Sequence, residues 1–157
     1  MIETKPSLFS IFSDNEGKIA ELYTIYAAAF PEQKKMWKDL AIDEIKHAKI
    51  LYDLHKRFGN DGKFYTIVTD GLQIINYVGD FINQSLVEAR TKKLTNNQAV
   101  ATAMRLELSM IEKKSFDVVF TEDETIKSAL DKLNRETAIH FQRLKTRVKL
   151  TEMIDYE

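Results

Sequence analysis

The chain contains no cysteine. That absence removes disulfides, thiolate zinc sites, iron–sulfur clusters and cysteine nucleophiles together. Glycine and proline are nearly as scarce, five and two in 157 residues, too few for the many turns of an all-β fold. Charge of one sign is lacking as well. With 23 Lys+Arg against 24 Asp+Glu the net charge is −1, which gives no reason to expect nucleic acid or an anionic membrane as partner. No apolar run approaches the ~20 residues that span a bilayer. The start, Met1-Ile-Glu-Thr-Lys-Pro6, has neither the basic lead nor the apolar core of a signal peptide. What remains is a chain of ordinary globular composition, 44% hydrophobic and 30% charged, of a length that suits one domain with a sizeable core. The expectation is a single domain over residues 1–157, cytoplasmic and all-α.

The apolar spacing divides the chain into helices. Pro6 can open the first, whose stripe runs Phe9, Phe12, Glu16, Ile19, Tyr23, Tyr26, Phe30. Ser13-Asp-Asn-Glu-Gly17 is poor helix material and predicts a break or late start there. Pro31 starts the second helix, with Glu32 in its first turn and His55, Lys56 and Arg57 in its last, an order that complements the macrodipole. His55 reads as a surface residue of that kind. Gly59 suits the C-terminal cap, followed by a Gly59–Gly62 loop. A third helix, roughly residues 66 to 91, carries Leu72, Ile75, Val78, Ile82, Leu86 and Ala89 at helical spacing with no ligand-like residue among them. Thr95-x-x-Gln98 and Thr121-x-x-Glu124 are capping boxes, each opening a further helix. Lys92-Lys93 and Lys113-Lys114 read as solvated helix ends. The organisation is two helical hairpins joined by a crossover helix.

Polar residues interrupt four of these stripes. In the second helix, Trp37, Leu40, Leu51, Leu54 and Phe58 mark an amphipathic face whose continuation lands on Glu44 and His47. A carboxylate and an imidazole on a buried stripe are costly unless paired, and a metal ion is one such partner. Glu-x-x-His on an inward face is the motif of carboxylate-bridged di-iron bundles. The first helix contributes Glu16, the fourth (Val100, Ala103, Met110) contributes Glu107, and the fifth (Ile126, Leu130, Leu133, Leu144) contributes Thr137 and His140. Tyr23 and Tyr26 read as core aromatics whose hydroxyls find partners, with a supporting or radical role as the alternative.

Level along the bundle agrees with face. Glu16 lies about 14 residues before the turn at Phe30-Pro31 and Glu44 about 14 after it, so both stand roughly 20 Å along the axis at 1.5 Å per residue. Around a second turn near Thr121, Glu107 lies about 14 residues before, and Glu136 or Thr137 about 15 to 16 after. The two hairpins thus repeat one polar layout, as an internal duplication would.

The run from Glu16 to Tyr23, then Phe30-Pro31, Trp37, Leu40-Ala41 and Glu44-Ile-Lys-His47-Ala48, resembles the first hairpin of ferritin-like proteins on the rubrerythrin side. Glu107 followed by His140 is similar to the second. The resemblance spans nearly the whole chain and implies a ferritin-like four-helix bundle with an additional crossover helix. It implies a non-haem iron site, with manganese as the alternative metal, reacting with O2 or H2O2 as a peroxidase or ferroxidase. The implied metal ligands are Glu16, Glu44, His47, Glu107, Glu136 and His140, with no catalytic residue beyond them. A homo-oligomer, commonly a dimer, goes with that family. Rubrerythrins also carry a four-cysteine rubredoxin-type domain; without one, a peroxidase role requires an external electron donor.

The chain departs from the family pattern at Thr137, where glutamate stands three before the histidine. Glu136, four before His140, can replace that carboxylate by a small rotation, since i,i+4 residues meet on one face. Otherwise the site holds two unequal metals, one, or none. The alternative reading is a metal-free or single-metal helical bundle with a structural or partner-binding role.

Overall fold

Helix formation and capping account for nearly all of the computed structural model, which describes residues 7–59, 62–112 and 115–155. Among the described residues five α-helices follow one another: α1 Leu8–Ala29, α2 Lys34–Phe58, α3 Gly71–Thr91, α4 Asn96–Glu112 and α5 Glu124–Asp155. The all-α expectation holds but for one small element. β1 (Thr66–Ile67) pairs antiparallel with β2 (Val119–Phe120), Thr66 opposite Phe120 and Ile67 opposite Val119.

Ser7 caps α1, its hydroxyl accepting the Ser10 N–H at 3.2 Å; Pro6 lies outside the described residues. The break expected near Ser13 is absent, because that side chain is occupied elsewhere. Its hydroxyl donates to the Ala48 carbonyl of α2 at 2.8 Å, so it does not compete for its own helix backbone. Phe30 ends the helix half-buried, its N–H on the Tyr26 carbonyl at 2.9 Å. A short 3₁₀ turn, Pro31–Gln33, leads into α2. Ser7 meets His55, and Ser13 meets Ala48, so α1 and α2 run antiparallel. The Ser7 contact corrects the reading of His55 as a surface residue: it is half-buried and bonded across the hairpin. Gly59 closes α2 at φ 52°, a left-handed conformation that glycine adopts without penalty.

α3 starts at Gly71, later than the spacing predicts, because Thr66 and Ile67 are held by β2. Gly71 also packs tightly: a Cβ there would lie 2.6 Å from Ile67 Cγ2 and 3.2 Å from Val118 Cβ. Leu72, now in the first turn, is 56% exposed and not part of the stripe; Ile75, Val78, Ile82 and Leu86 are buried, and Ala89 is half-buried. The Thr95–Gln98 capping box is present in both directions, at 2.9 and 3.2 Å. The second box is not. Asp123 caps α5, accepting the Ile126 N–H at 3.0 Å, while the Thr121 hydroxyl accepts the Asp123 N–H and donates to the Phe64 carbonyl. Lys92 and Lys93 are exposed as expected; Lys113 and Lys114 lie outside the described residues.

α1 packs along α2, α4 along α5, and α3 lies against α1 and α4. The buried faces meet on Phe9, Ile19, Leu22, Tyr23, Tyr26, Trp37, Leu40, Leu51, Leu106 and Leu133, all within 1% of full burial. No described helix is long and apolar enough to cross a membrane.

Candidate metal centre

Eight polar side chains are buried among the described residues: Ser7, Glu16, Glu44, His47, Ser85, Glu107, Thr137 and His140. Ser7 is the α1 cap, and the Ser85 hydroxyl is bonded to the Phe81 carbonyl of its own helix at 2.8 Å. The other six are the residues that interrupt the apolar stripes. Every one of those positions is turned into the core, because each continues a face whose neighbours are buried leucine, isoleucine and aromatic side chains.

Glu44 is the hub. Its Oε2 lies 3.0 Å from His47 Nδ1 on the next turn of α2, and its Oε1 lies 2.8 Å from His140 Nδ1 of α5. His140 Nδ1 is also 3.6 Å from Glu107 Oε1, which accepts the Tyr23 hydroxyl at 2.7 Å. The two imidazoles stack with centroids 5.3 Å apart and planes 23° from parallel. One ligand atom from each of Glu44, His47 and His140 falls within 4.8 Å of the others. The approach of His140 Nδ1 to Glu44, though close, lacks hydrogen-bond geometry.

Glu16 completes the acidic side from α1. It is 1% exposed, lies against the Glu44 carboxylate, and among the described residues makes no well-formed hydrogen bond. Burial raises its pKa well above the usual carboxylate range, and the charges of Glu44 and Glu107 raise it further. Glu107 is likewise pushed up to about 7, first by burial and then by Glu44. Burial acts on Glu44 in the same direction, yet its contacts with His140 and His47 outweigh it and hold this carboxyl below its ordinary value. For the histidines burial disfavours the charged form, but the surrounding carboxylates win. His140 is raised to about 10 by Glu107 and Glu44, and His47 is raised by Glu44 and Glu136. Without metal the cluster therefore holds protons that a cation would displace.

The outer nitrogens of both histidines are also engaged. His47 Nε2 meets Glu136 Oε2 of α5 at 2.6 Å, and His140 Nε2 meets Asp43 Oδ2 of α2 at 3.2 Å. The sequence reading put Glu136 among the inward carboxylates as a substitute at position 137. The structure places its carboxylate, 37% exposed, on the outer nitrogen of His47. Asp43 is the residue that sequence reasoning missed. The signal was there: Asp43 stands four before His47 as Glu136 stands four before His140. At position 137 the threonine hydroxyl is bonded to the Leu133 carbonyl of its own helix at 2.8 Å. A cavity of about 350 Å³ between α2 and α5 lies on the outer side of His140, with Asp43, Lys46, Lys132, Glu136 and Arg143 also in its wall.

No family model, curated protein or solved structure matches the chain.

Proposed function

We propose that the buried cluster is a metal centre of the ferritin-like, rubrerythrin type, holding non-haem iron or manganese and reacting with O2 or H2O2. The observation that carries this reading is Glu16, a fully buried carboxyl whose neighbours are the two buried carboxylates of Glu44 and Glu107 and which makes no well-formed hydrogen bond among the described residues. Ionising three neighbouring buried carboxyls costs several kcal/mol, which holds Glu16 and Glu107 toward their protonated forms; a divalent cation would replace those protons and compensate all three at once. Three carboxylates and two imidazoles without thiolate suit iron and manganese better than structural zinc.

Glu16, Glu44 and Glu107 would supply oxygen ligands, and His47 and His140 their Nδ1 atoms. When bound, the metal supplies electrons to the O–O bond. The chain supplies everything else. Glu44 stands between the two imidazoles and can serve both halves of the site. Glu136 and Asp43 accept the Nε2 protons, fix the ring orientation, and leave each Nδ1 lone pair to face inward. Tyr23 holds Glu107 in place. Glu16, Glu44 and Glu107 are themselves at most 2% exposed, so the core keeps bulk water from the carboxylates. The cavity beside His140 is the route by which small molecules reach the cluster. With no cysteine in the chain, a peroxidase reaction draws electrons from an external donor, whereas oxidation of Fe(II) requires none.

A single-metal site is the second reading, and Thr137 favours it. Its hydroxyl is committed to Leu133 and Glu136 to His47, so α5 offers His140 alone. Anaerobic titration of chelator-treated protein with Fe(II) tests both. Uptake of one or two equivalents, abolished by Glu44→Ala and weakened by Glu107→Ala, is the expected result; a value near one selects the single-metal form. No iron or manganese above background, with melting unchanged by chelator, overturns the proposal.

A further inference from the structure

A line of buried aromatic rings leads away from the cluster. Tyr23, whose hydroxyl is bonded to Glu107, packs on Trp37 with ring centroids 5.5 Å apart, and Trp37 packs on Tyr26 at 4.8 Å. All three are at most 1% exposed. The indole N–H of Trp37 then donates to Asn96 Oδ1 at 3.0 Å. Asn96 is half-buried and, with Phe30 and Pro31, lines a surface cavity of about 390 Å³. Tyrosine and tryptophan are the side chains most easily oxidised in a chain without cysteine, and rings in contact exchange electrons far faster than rings separated by solvent or aliphatic packing.

We propose that Tyr23 and Trp37 form a one-electron relay between the buried cluster and the surface cavity at Asn96. Two tyrosines touch Trp37, and distance alone favours Tyr26. Proton transfer decides otherwise. A phenol gives up an electron readily only where its proton has somewhere to go. The Tyr23 proton has the Glu107 carboxylate at 2.7 Å, whereas the Tyr26 hydroxyl faces the Thr102 hydroxyl, which is no base and takes no proton. The step balances: the Trp37 radical cation takes one electron from Tyr23, the indole is restored with its N–H, and the phenolic proton passes to Glu107. Run outward, the same coupling carries an oxidising equivalent from Tyr23 to Trp37, where a small external one-electron reductant in the cavity discharges it. That use as the site's electron connection rests on the metal reading above; the relay itself is present in the metal-free chain.

The test therefore uses metal-free protein, buffered well above pH 7 so that Glu107, pushed up to about 7, is free to take the proton. Trp37 is the single tryptophan, so laser excitation at the red edge of its absorption, with hexaamminecobalt(III) as electron acceptor, generates one defined radical. Its absorption should decay as tyrosyl absorption grows. Tyr23→Phe should slow that decay about tenfold or more, each tenfold being ~1.4 kcal/mol on the barrier. Tyr26→Phe should leave it unchanged. Glu107→Gln, which keeps an acceptor oxygen but takes no proton, should slow it and alter the solvent isotope effect, a readout that packing alone does not move. Melting curves and near-ultraviolet dichroism confirm that each variant is folded. An unaffected decay in Tyr23→Phe, or an equal effect of Tyr26→Phe, overturns the relay. Because no metal is present, that failure is separate from a failed iron titration.

Discussion

Asp43 and Glu136 hold each other's histidines. Each stands four residues before a buried histidine on its own helix, and each bonds the outer nitrogen of the histidine on the opposite helix, His140 for Asp43 and His47 for Glu136. The exchange ties α2 to α5 across the cluster and gives both imidazoles the same orientation. If the cluster holds a metal as proposed, replacing either carboxylate should weaken its binding without abolishing it, since outer partners of ligating histidines typically contribute about 10- to 100-fold in affinity. Chelator competition on Asp43→Ala and Glu136→Ala measures this. The larger loss is expected for Glu136, the closer partner; no loss in either would remove their assigned role.

The metal-free protein should become less stable as pH rises through neutrality. Glu107 titrates at about 7 in the folded chain, above the ordinary carboxylate range of ~4.3. The folded state thus binds a proton the unfolded state has lost, and that stabilisation, full below the ordinary range, disappears as pH rises through 7. His140, at about 10 folded against ~6.5 unfolded, loses its contribution later, as pH rises through 10. Glu44, held low, acts in the opposite sense and matters only in acid. Melting temperature in chelator should fall from about pH 6 to about pH 8, and metal affinity should rise over the same window as protons are displaced. A flat or rising melting temperature in chelator contradicts the assignment.

Glu16→Leu should separate stability from binding. It removes a buried carboxyl crowded by Glu44 and Glu107 that makes no well-formed hydrogen bond among the described residues, so the metal-free form should gain roughly 1–3 kcal/mol, read by urea denaturation, while metal affinity falls. A loss of metal-free stability would show that Glu16 has a structural partner after all.

Thr137→Glu should have the opposite signature. A further buried carboxylate lowers the melting temperature in chelator, yet supplies the missing oxygen ligand on α5. Iron uptake should rise toward two equivalents if the native site holds one, and the stabilisation by added metal should grow. Unchanged uptake together with unchanged melting would place position 137 outside the site.

Gly71→Ala tests the element that joins the hairpins. The added Cβ meets Ile67 at 2.6 Å and Val118 at 3.2 Å, so strand β1 or the Val118 segment must shift. The cost should be about 1–3 kcal/mol, typical of overpacking, and it should leave iron uptake unchanged because Gly71 lies outside the cluster.

The helical periods and the interruptions within them were legible without coordinates. Glu16, Glu44, His47, Glu107, Thr137 and His140 are all buried, because burial of a helix face follows from spacing alone. Local signals failed where a distant segment competed for the same group. Ser13 does not break α1 because Ala48 accepts its proton; His55 is drawn inward by Ser7; Thr121 yields its cap to Asp123 while bonding Phe64; Leu72 is left in the first turn of a helix that β1 shortens.

By itself, then, the sequence determined the five helices, which face of each is buried, and that three carboxylates and two imidazoles share the interior, since all of these depend on periodicities of the single chain. Only the tertiary structure decided how those groups divide into inner and outer partners. Glu136 and Thr137 are neighbours on one helix, and a rotation of a few tens of degrees chooses between them. That rotation is set by how α5 packs against α2, where His47 draws the Glu136 carboxylate to its outer nitrogen and Thr137 is left bonded to its own backbone.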